Sequence, residues 1–107
     1  MNTNESAENY LETILMLSKR LPVVRSVDIS NELGFKKSSV SVAMKNLREK
    51  NNITVTKEGY IYLTDSGREI AEMIYERHTL LSTWLETLGV DKEIAAQDAC
   101  KMEHVIS

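Results

Sequence analysis

Apolar residues recur with helical spacing along most of this 107-residue sequence. The first such stretch is Ser6–Arg20, with Ser6 as its N-cap, and the Leu21-Pro22 step after it predicts a stop because proline cannot continue a helix. The second stretch is Val27–Leu33, which Ser26 would cap at its start and Gly34 would end. A helix, a glycine-containing turn and a further helix together predict a helix-turn-helix.

The third predicted helix lies within residues 34–50, GFKKSSVSVAMKNLREK. Val40, Met44 and Leu47 fall at positions i, i+4 and i+7, so they share one face of that helix. The other face carries serines and cations, an arrangement that fits a DNA major groove. An ordinary surface helix also carries serines and lysines, so this face alone leaves both interpretations open.

Two short runs of β-branched and aromatic residues lie within Ile53–Leu63, on either side of Lys57-Glu58-Gly59. This pattern predicts a β-hairpin, which must pack against the helices because a two-stranded hairpin is barely stable alone. Three helices followed by a hairpin make a winged helix. We therefore predict a mainly α fold with a small β-hairpin, in which a winged helix-turn-helix occupies residues 1–63.

A long helix is predicted after the hairpin, with either Thr64 or Ser66 as its cap and Gly89 at its end. Its apolar stripe continues for about 25 residues, or about 37 Å, which is longer than a small domain needs. Asp91 would cap a last helix that reaches the C-terminus. Residues 64–107 are therefore predicted to form a helical segment that meets a second subunit. The stripe consists of Ile70, Ile74, Leu81, Trp84, Leu85 and Leu88.

The basic residues are concentrated in the middle of the chain. Residues 20–57 hold eight Lys and Arg against three acids, a net +5, whereas the whole chain carries −3, so the remainder carries −8. A basic middle segment predicts contact with double-stranded DNA, and a chance fluctuation of surface charge is the alternative. The predicted DNA contacts are Arg25, Lys36, Lys37, Ser38, Ser39, Ser41, Val42, Lys45 and Lys57. For Lys57, at the hairpin turn, a solvated side chain is an equal alternative.

The sequence has one cysteine, Cys100, which cannot form an internal disulfide. It has no apolar run long enough to span a membrane and no signal-peptide pattern. We therefore predict a cytoplasmic protein with no membrane partner. No nucleophile motif frames its serine, histidine, aspartate or cysteine residues, so we also predict that it is not an enzyme and has no small-molecule substrate.

Cys100, Glu103 and His104 lie at positions i, i+3 and i+4 of the last predicted helix, so all three project from one face. Thiolate, carboxylate and imidazole together suit a divalent transition metal such as Fe(II), Co(II), Ni(II) or Zn(II). The alternative is a buried cysteine beside a solvated Glu–His pair. Three ligands from one helix do not complete a coordination shell. Candidates for the missing ligands are Asn9, Glu12 and His78.

These motifs resemble those of the diphtheria-toxin-repressor and manganese-transport-regulator family of metal-dependent bacterial repressors. The resemblance covers nearly the whole chain in the same order, and its most specific part is the cysteine-containing cluster of the last helix. The matching stretches are Glu8-Asn-Tyr-Leu-Glu-Thr-Ile14, Ser38-Ser-Val-Ser41, Leu63-Thr-Asp-Ser-Gly67, Arg77-His78, Leu88-Gly-Val-Asp91 and Asp98-Ala-Cys-Lys-Met-Glu-His-Val105.

The resemblance implies a metal-ligand set, position by position. Cys100, Glu103 and His104 match the ligands of the family's last helix. His78 matches a long-helix ligand found in both branches of the family, and Glu12 matches a ligand of the manganese type. Cys100 is like the iron type, so the chain combines features of both branches.

Three positions depart from the family pattern. Asn9 stands where iron-type members carry Met and manganese-type members carry Asp, and it is a weaker ligand than either. Ser82 and Ala96 stand where the iron type's second site has a carboxylate and an imidazole. Oxygen ligands favour Mn(II) and a thiolate disfavours it, so we predict Fe(II) first and Mn(II) second.

The function implied is that of a metal-dependent repressor of metal-ion homeostasis, binding a near-palindromic operator as a homodimer. Lys36, Ser38 and Val42 occupy slots that face bases in the family, and the remaining predicted contacts on the third helix are better placed for phosphate. The family usually continues beyond the position of Ser107, so the resemblance also implies that the dimerisation segment is incomplete here.

Two rival functions remain open from the sequence. One is a winged-helix regulator that needs no metal and in which Cys100 senses oxidation. The other is a helical interaction module that uses the winged helix for protein contact. Binding to DNA that weakens with rising salt would argue against this second rival, because phosphate contacts release counterions.

Overall fold

The computed structural model describes residues 3–88 of the chain. The predicted fold class, mainly α with a small hairpin in a winged-helix arrangement, is confirmed. The predicted last helix, with Gly89 and Asp91 before it, lies outside the described residues. The elements in chain order are α1 (Thr3–Arg20), α2 (Ser26–Leu33), α3 (Lys37–Glu49), β1 (Ile53–Val55), β2 (Ile61–Leu63) and α4 (Asp65–Thr87).

Helix α1 lies at the centre of the fold and contacts α2, α3, α4 and β2. Its Leu11 and Ile14 are each 1% exposed, and burying a side chain of this size contributes about 1.5–3 kcal/mol. The prediction that Ser6 caps this helix is wrong, because the helix begins at Thr3. Glu5 then lies in the first turn, where its charge interacts favourably with the helix dipole.

Helix α2 begins one residue earlier than predicted. Ser26 is its first helical residue, and Arg25 occupies the N-cap position instead. The Asp28 carboxylate accepts a hydrogen bond of 2.9 Å from the backbone N–H of Arg25, which fixes this start. The predicted end is confirmed, because Gly34 adopts φ +69° and its N–H donates to the Ser30 carbonyl.

Helix α3 packs on the core through the three residues that the sequence pattern placed on one face. Val40, Met44 and Leu47 are all buried, at 0%, 4% and 2% exposure. Fixing one face against the core leaves the opposite face of α3 in solvent.

The predicted hairpin is confirmed, and it is attached to the helices. Strands β1 and β2 pair antiparallel with Val55 opposite Ile61, and Gly59 in the connecting turn adopts φ +86°. The backbone N–H of Ile61 donates a 2.8 Å hydrogen bond to the carbonyl of Val24, between α1 and α2. Because Val24, Ile53 and Ile61 are all buried, the inner face of the wing is part of the core.

The start of α4 is joined to the turn that follows α3. Thr64, one of the two predicted caps, accepts a 3.1 Å hydrogen bond from the Gly67 N–H and donates a 2.7 Å one to the Asn51 carbonyl. The other predicted cap, Ser66, lies inside the helix, and its hydroxyl also donates to the Asn51 carbonyl, at 3.1 Å. Thr64 is therefore the N-cap, and it connects two elements as well as capping one.

We expect Thr64→Ala to lower the free energy of unfolding by about 1–2 kcal/mol, the upper part of the range for N-caps, since both hydrogen bonds are lost. Urea unfolding followed by circular dichroism measures this difference. Thr64→Ser is the matched variant, which keeps the hydroxyl and should remain within about 0.5 kcal/mol of the parent. An unchanged midpoint for Thr64→Ala would contradict the role assigned to this side chain.

Candidate metal centre and nucleic-acid interface

Helices α1 and α4 pack against each other more extensively than any other pair in the described chain, and this packing brings Glu12 and His78 together. The Oε2 atom of Glu12 lies 3.4 Å from Nδ1 of His78. Glu12 is 8% exposed as a residue, and the His78 side chain is 28% exposed. A carboxylate buried to this degree needs a partner, because its desolvation is otherwise costly.

Asn9 lies on the same side of α1 as Glu12, since the two are three residues apart in a helix. The hydroxyl of Thr13 donates a 2.8 Å hydrogen bond to the Asn9 backbone carbonyl, so the Asn9 amide group takes no part in that bond. Of the six predicted metal ligands, the structure describes three and places two in direct contact. The other three, Cys100, Glu103 and His104, lie outside the described residues.

Glu12 and His78 line a groove of about 720 Å³ between α1 and α4. Ser82, one turn after His78, lies along the same groove, and its Oγ is buried with no hydrogen-bond partner in the described part of the chain. Glu32 lies on the wall provided by α2, where it forms a 3.1 Å ion pair with Arg20. Glu32 is thus paired with an arginine, whereas Glu12 is paired with the imidazole of His78.

The donor chemistry of this groove fits a divalent transition metal. A carboxylate oxygen and an imidazole nitrogen are both common ligands of Fe(II) and Mn(II). Within residues 3–88, no group of three or more histidine, cysteine, aspartate or glutamate side chains could hold a metal ion by itself. The Glu12–His78 pair therefore supplies part of a coordination shell, and further ligands have to come from elsewhere.

The predicted DNA contacts lie on the exposed side of α3 and around it. Val42 is 61% exposed, although it is apolar, and it lies away from the buried face of the helix. Within residues 3–88, none of the five predicted cations forms an ion pair, so their charge is available to an external anion. The exposed residues of this group are Arg25, Lys36, Lys37, Ser38, Ser39, Ser41, Val42, Lys45 and Lys57.

The turn before α3 is held by contacts that no pattern in the sequence indicated. The buried hydroxyl of Ser30 donates a 2.6 Å hydrogen bond to the Phe35 carbonyl. The Phe35 ring meets the Tyr10 ring edge to face, with 6.1 Å between their centroids. Burial raises the pKa of the Tyr10 hydroxyl above its usual value, so this ring is neutral at pH 7. A serine or an aromatic residue in an amphipathic pattern does not reveal its partner, so sequence reasoning missed these residues.

The far half of α4 leaves large apolar side chains in solvent. Leu80 and Trp84 of α4 and Leu88 at its C-cap are 70%, 54% and 61% exposed, and their i, i+4, i+8 spacing places them on one side of the helix. Exposed apolar patches of this kind are typical of contact surfaces. None of the helices in the described residues is long and apolar enough to cross a membrane.

Two family models match the chain and together cover nearly all of it. The model described as iron dependent repressor, N-terminal DNA binding domain, matches residues 2–61. The model described as iron dependent repressor, metal binding and dimerisation domain, matches residues 64–107. Both describe regulatory proteins.

Individual relatives are similar over most of the chain. The transcriptional regulator MntR of Escherichia coli O6:H1 is 33% identical over 103 residues, which are 96% of this chain and 66% of that protein. The HTH-type transcriptional regulator MntR of Bacillus subtilis strain 168 is 32% identical over 105 residues, covering 98% of this chain and 74% of that protein.

Solved structures also share this fold. A manganese-dependent transcriptional repressor in complex with manganese matches with a TM-score of 0.85 at 29% identity, covering 94% of this chain and 47% of that one. The IdeR protein of T. acidophilum matches with a TM-score of 0.79 at 26% identity and the same coverage. The chain therefore spans about two thirds of the E. coli relative and about half of these two structures.

Proposed function

The chain belongs to the iron-dependent repressor family, and from this premise we propose that it is a DNA-binding transcriptional repressor controlled by a divalent transition metal. The observation that carries the proposal is the 3.4 Å approach of Glu12 to His78. This contact joins a carboxylate and an imidazole, both suited to bind a metal, where α1 of the winged helix meets α4, the helix that follows the wing.

The proposed ligand set combines this pair with residues before and after it. Asn9 extends the set along α1, and Cys100, Glu103 and His104 would complete it from the last segment of the chain. When bound, the metal supplies the positive charge that holds these carboxylate, thiolate and imidazole groups in one place. Fe(II) as the preferred metal and Mn(II) as the second remain our prediction, because the thiolate favours iron.

The chain's own contribution to the mechanism is the placement of α1. Glu12 lies on α1 and His78 on α4, so the distance between these side chains depends on how firmly α1 is held on α4. Helix α1 also packs on α2 and α3, and its position therefore affects the DNA-binding helices. A coupling of 1–3 kcal/mol between metal and DNA would be enough for regulation.

We assign DNA contact to the exposed side of α3. Lys36, Ser38 and Val42 are proposed to face bases, and Val42 could contact a thymine methyl group. The residues proposed to contact phosphate are Arg25, Lys37, Ser39, Ser41, Lys45 and Lys57. This assignment is supported by the exposure of the whole group and by the unpaired state of its cations in the described chain.

Homodimerisation is the third part of the proposal. The winged helix would occupy residues 1–63, and residues 64–107 would form the metal-binding and dimerisation segment. The exposed apolar residues at the end of α4, Leu80, Trp84 and the C-cap Leu88, support a contact between subunits. A dimer would present two copies of α3 to successive major grooves about 34 Å apart on a near-palindromic operator.

The test begins by selecting a duplex from a randomised DNA pool with the 107-residue protein, anaerobically, in the presence of Fe(II) or Mn(II). We expect the metal to increase affinity for the selected duplex by about 5–150-fold over a chelator control, and Cys100→Ala to reduce that gain. Affinity should also fall steeply as salt rises.

Each rival function predicts a different result in this experiment. Equal affinity with metal and with chelator, for both the parent and Cys100→Ala, would refute metal control. A response to peroxide instead of metal would point to a redox-sensing Cys100. Binding to DNA that is weak and insensitive to salt would favour a protein-interaction module.

A further inference from the structure

Helix α1 makes specific contacts on two opposite sides. Glu12 faces His78 of α4, and Tyr10, two residues earlier, packs its ring on Phe35. Two residues apart on a helix with 3.6 residues per turn, these side chains point about 160° away from each other. Helix α1 therefore contacts α4 through one side and the turn before α3 through the other.

Phe35 is the residue that receives this contact, and it lies two residues before α3 begins. It is 40% exposed, so its side chain is only partly buried. Its ring meets Tyr10 at 6.1 Å with an interplanar angle of 70°, the edge-to-face geometry that aromatic pairs prefer. Its carbonyl is fixed by the Ser30 hydroxyl, so the turn cannot adjust freely when the ring is pushed.

Helices α1 and α3 share the core, but a gap separates part of their lengths. A cavity of about 280 Å³ lies between them, with Ala7 on α1 and with Ala43 and Leu47 on α3 among the residues that line it. Tyr10 forms one wall of this cavity. Direct packing between α1 and α3 is accordingly limited compared with that between α1 and α4. The ring pair is therefore a well-defined contact between α1 and the turn immediately before α3.

We propose that Tyr10 and Phe35 are positioning residues, which transmit the placement of α1 on α4 to the first turn of the DNA-binding helix. This inference rests on the proposed function, because it takes metal at Glu12 and His78 as the input and DNA affinity as the output. The experiment measures the coupling between the metal site and α3 directly.

The experiment is a double-mutant cycle of Tyr10→Leu, Phe35→Leu and the combined variant, made in the full chain. Hydrogen exchange of residues 35–49 with and without Mn(II) reports the response of α3, and exchange in α1 reports metal binding. Affinity for the duplex selected with the parent protein is measured under the same conditions. We expect each single variant to lose the Mn(II)-induced protection of α3 while keeping that of α1.

The Mn(II)-induced gain in DNA affinity should fall about two- to tenfold in each single variant, and the combined variant should lose no more than either one. Tyr10→Phe keeps the ring and should retain the parent's response. Val27→Ala is the control, since Val27 is 37% exposed, similar to Phe35, and belongs to α2.

Three outcomes would overturn the inference, and they differ in what else they imply. A parent that gains no DNA affinity with Mn(II) or Fe(II) would refute the proposed function and this inference with it. A responsive parent with equally responsive leucine variants would refute the inference alone. An equal loss in Val27→Ala would show general loosening of the winged helix, and would also refute it.

Discussion

Gly67→Ala is expected to lower the free energy of unfolding by about 3 kcal/mol or more, the largest stability effect that we predict for a single methyl group. A Cβ atom at this position would lie 1.9 Å from the backbone oxygen of Asn52 and 2.8 Å from its carbonyl carbon. The obstruction is backbone, and the same oxygen accepts a 3.1 Å hydrogen bond from the Thr64 N–H. Relief would therefore require separating α4 from the turn after α3. Urea or thermal unfolding of the purified variant measures the loss.

Two other glycines provide matched controls for this prediction. Gly34 and Gly59 have nothing within 4 Å of an added Cβ, but they adopt φ values of +69° and +86°. Alanine at either position should cost only the strain of the left-handed conformation, about 1–2 kcal/mol. A Gly67→Ala variant no less stable than these two would show that α4 can shift at little cost, contrary to the packing described.

Glu12→Gln is expected to weaken binding of Mn(II) or Fe(II) by about 100-fold or more. The substitution keeps the size of the side chain and one acceptor oxygen, but it replaces the other oxygen with an NH2 donor and removes the negative charge that a hard cation favours. Even changes to groups that only orient a ligand cost about 10–100-fold, so loss of a direct ligand should exceed that range. Anaerobic calorimetry, or electron paramagnetic resonance of Mn(II), measures the dissociation constant. His78→Gln should show a loss of similar size.

Glu86→Gln is the control for this prediction. Glu86 lines the same groove from α4 and is exposed, but it belongs to no proposed ligand set. It should bind metal as the parent does, within about twofold, because the charge of an exposed side chain has only a small effect. Glu12→Gln binding as tightly as Glu86→Gln, with an unchanged unfolding midpoint, would remove Glu12 from the site.

The secondary structure of the described residues could largely be predicted because it depends on local periodicity. The buried face of α3 follows from three apolar residues at helical spacing, and the hairpin from two β-type runs around Gly59. Such patterns predict the elements well because the hydrophobic effect buries an apolar face whichever element it packs against.

The helix starts were harder to predict, because competing caps differ by only about 1 kcal/mol. Thr64 and Ser66 were both candidates to cap α4, and Ser66 with Glu69 even matched a capping box. The outcome is Thr64, whose hydroxyl meets the Gly67 N–H and the Asn51 carbonyl at the same time. At α2 the decisive group was the Asp28 carboxylate, which selected Arg25 as the N-cap residue in place of Ser26.

The candidate metal site could be predicted only in part. Its donor types could be read from the residues, but the groove between α1 and α4 and the contact of Glu12 with His78 required the packed helices. Cys100, Glu103 and His104, together with their contact to Asn9, stay predictions, since they lie outside the described residues.

The sequence by itself determined which face of each helix is apolar, where the chain turns, and which side chains can bind a metal or a phosphate. Those properties reside in single residues and their spacing. Only the tertiary structure decided that Glu12 meets His78, that Gly67 lies against Asn52, and that Tyr10 touches Phe35. Each pair joins different elements, and a periodic pattern specifies that a face is buried without specifying what buries it.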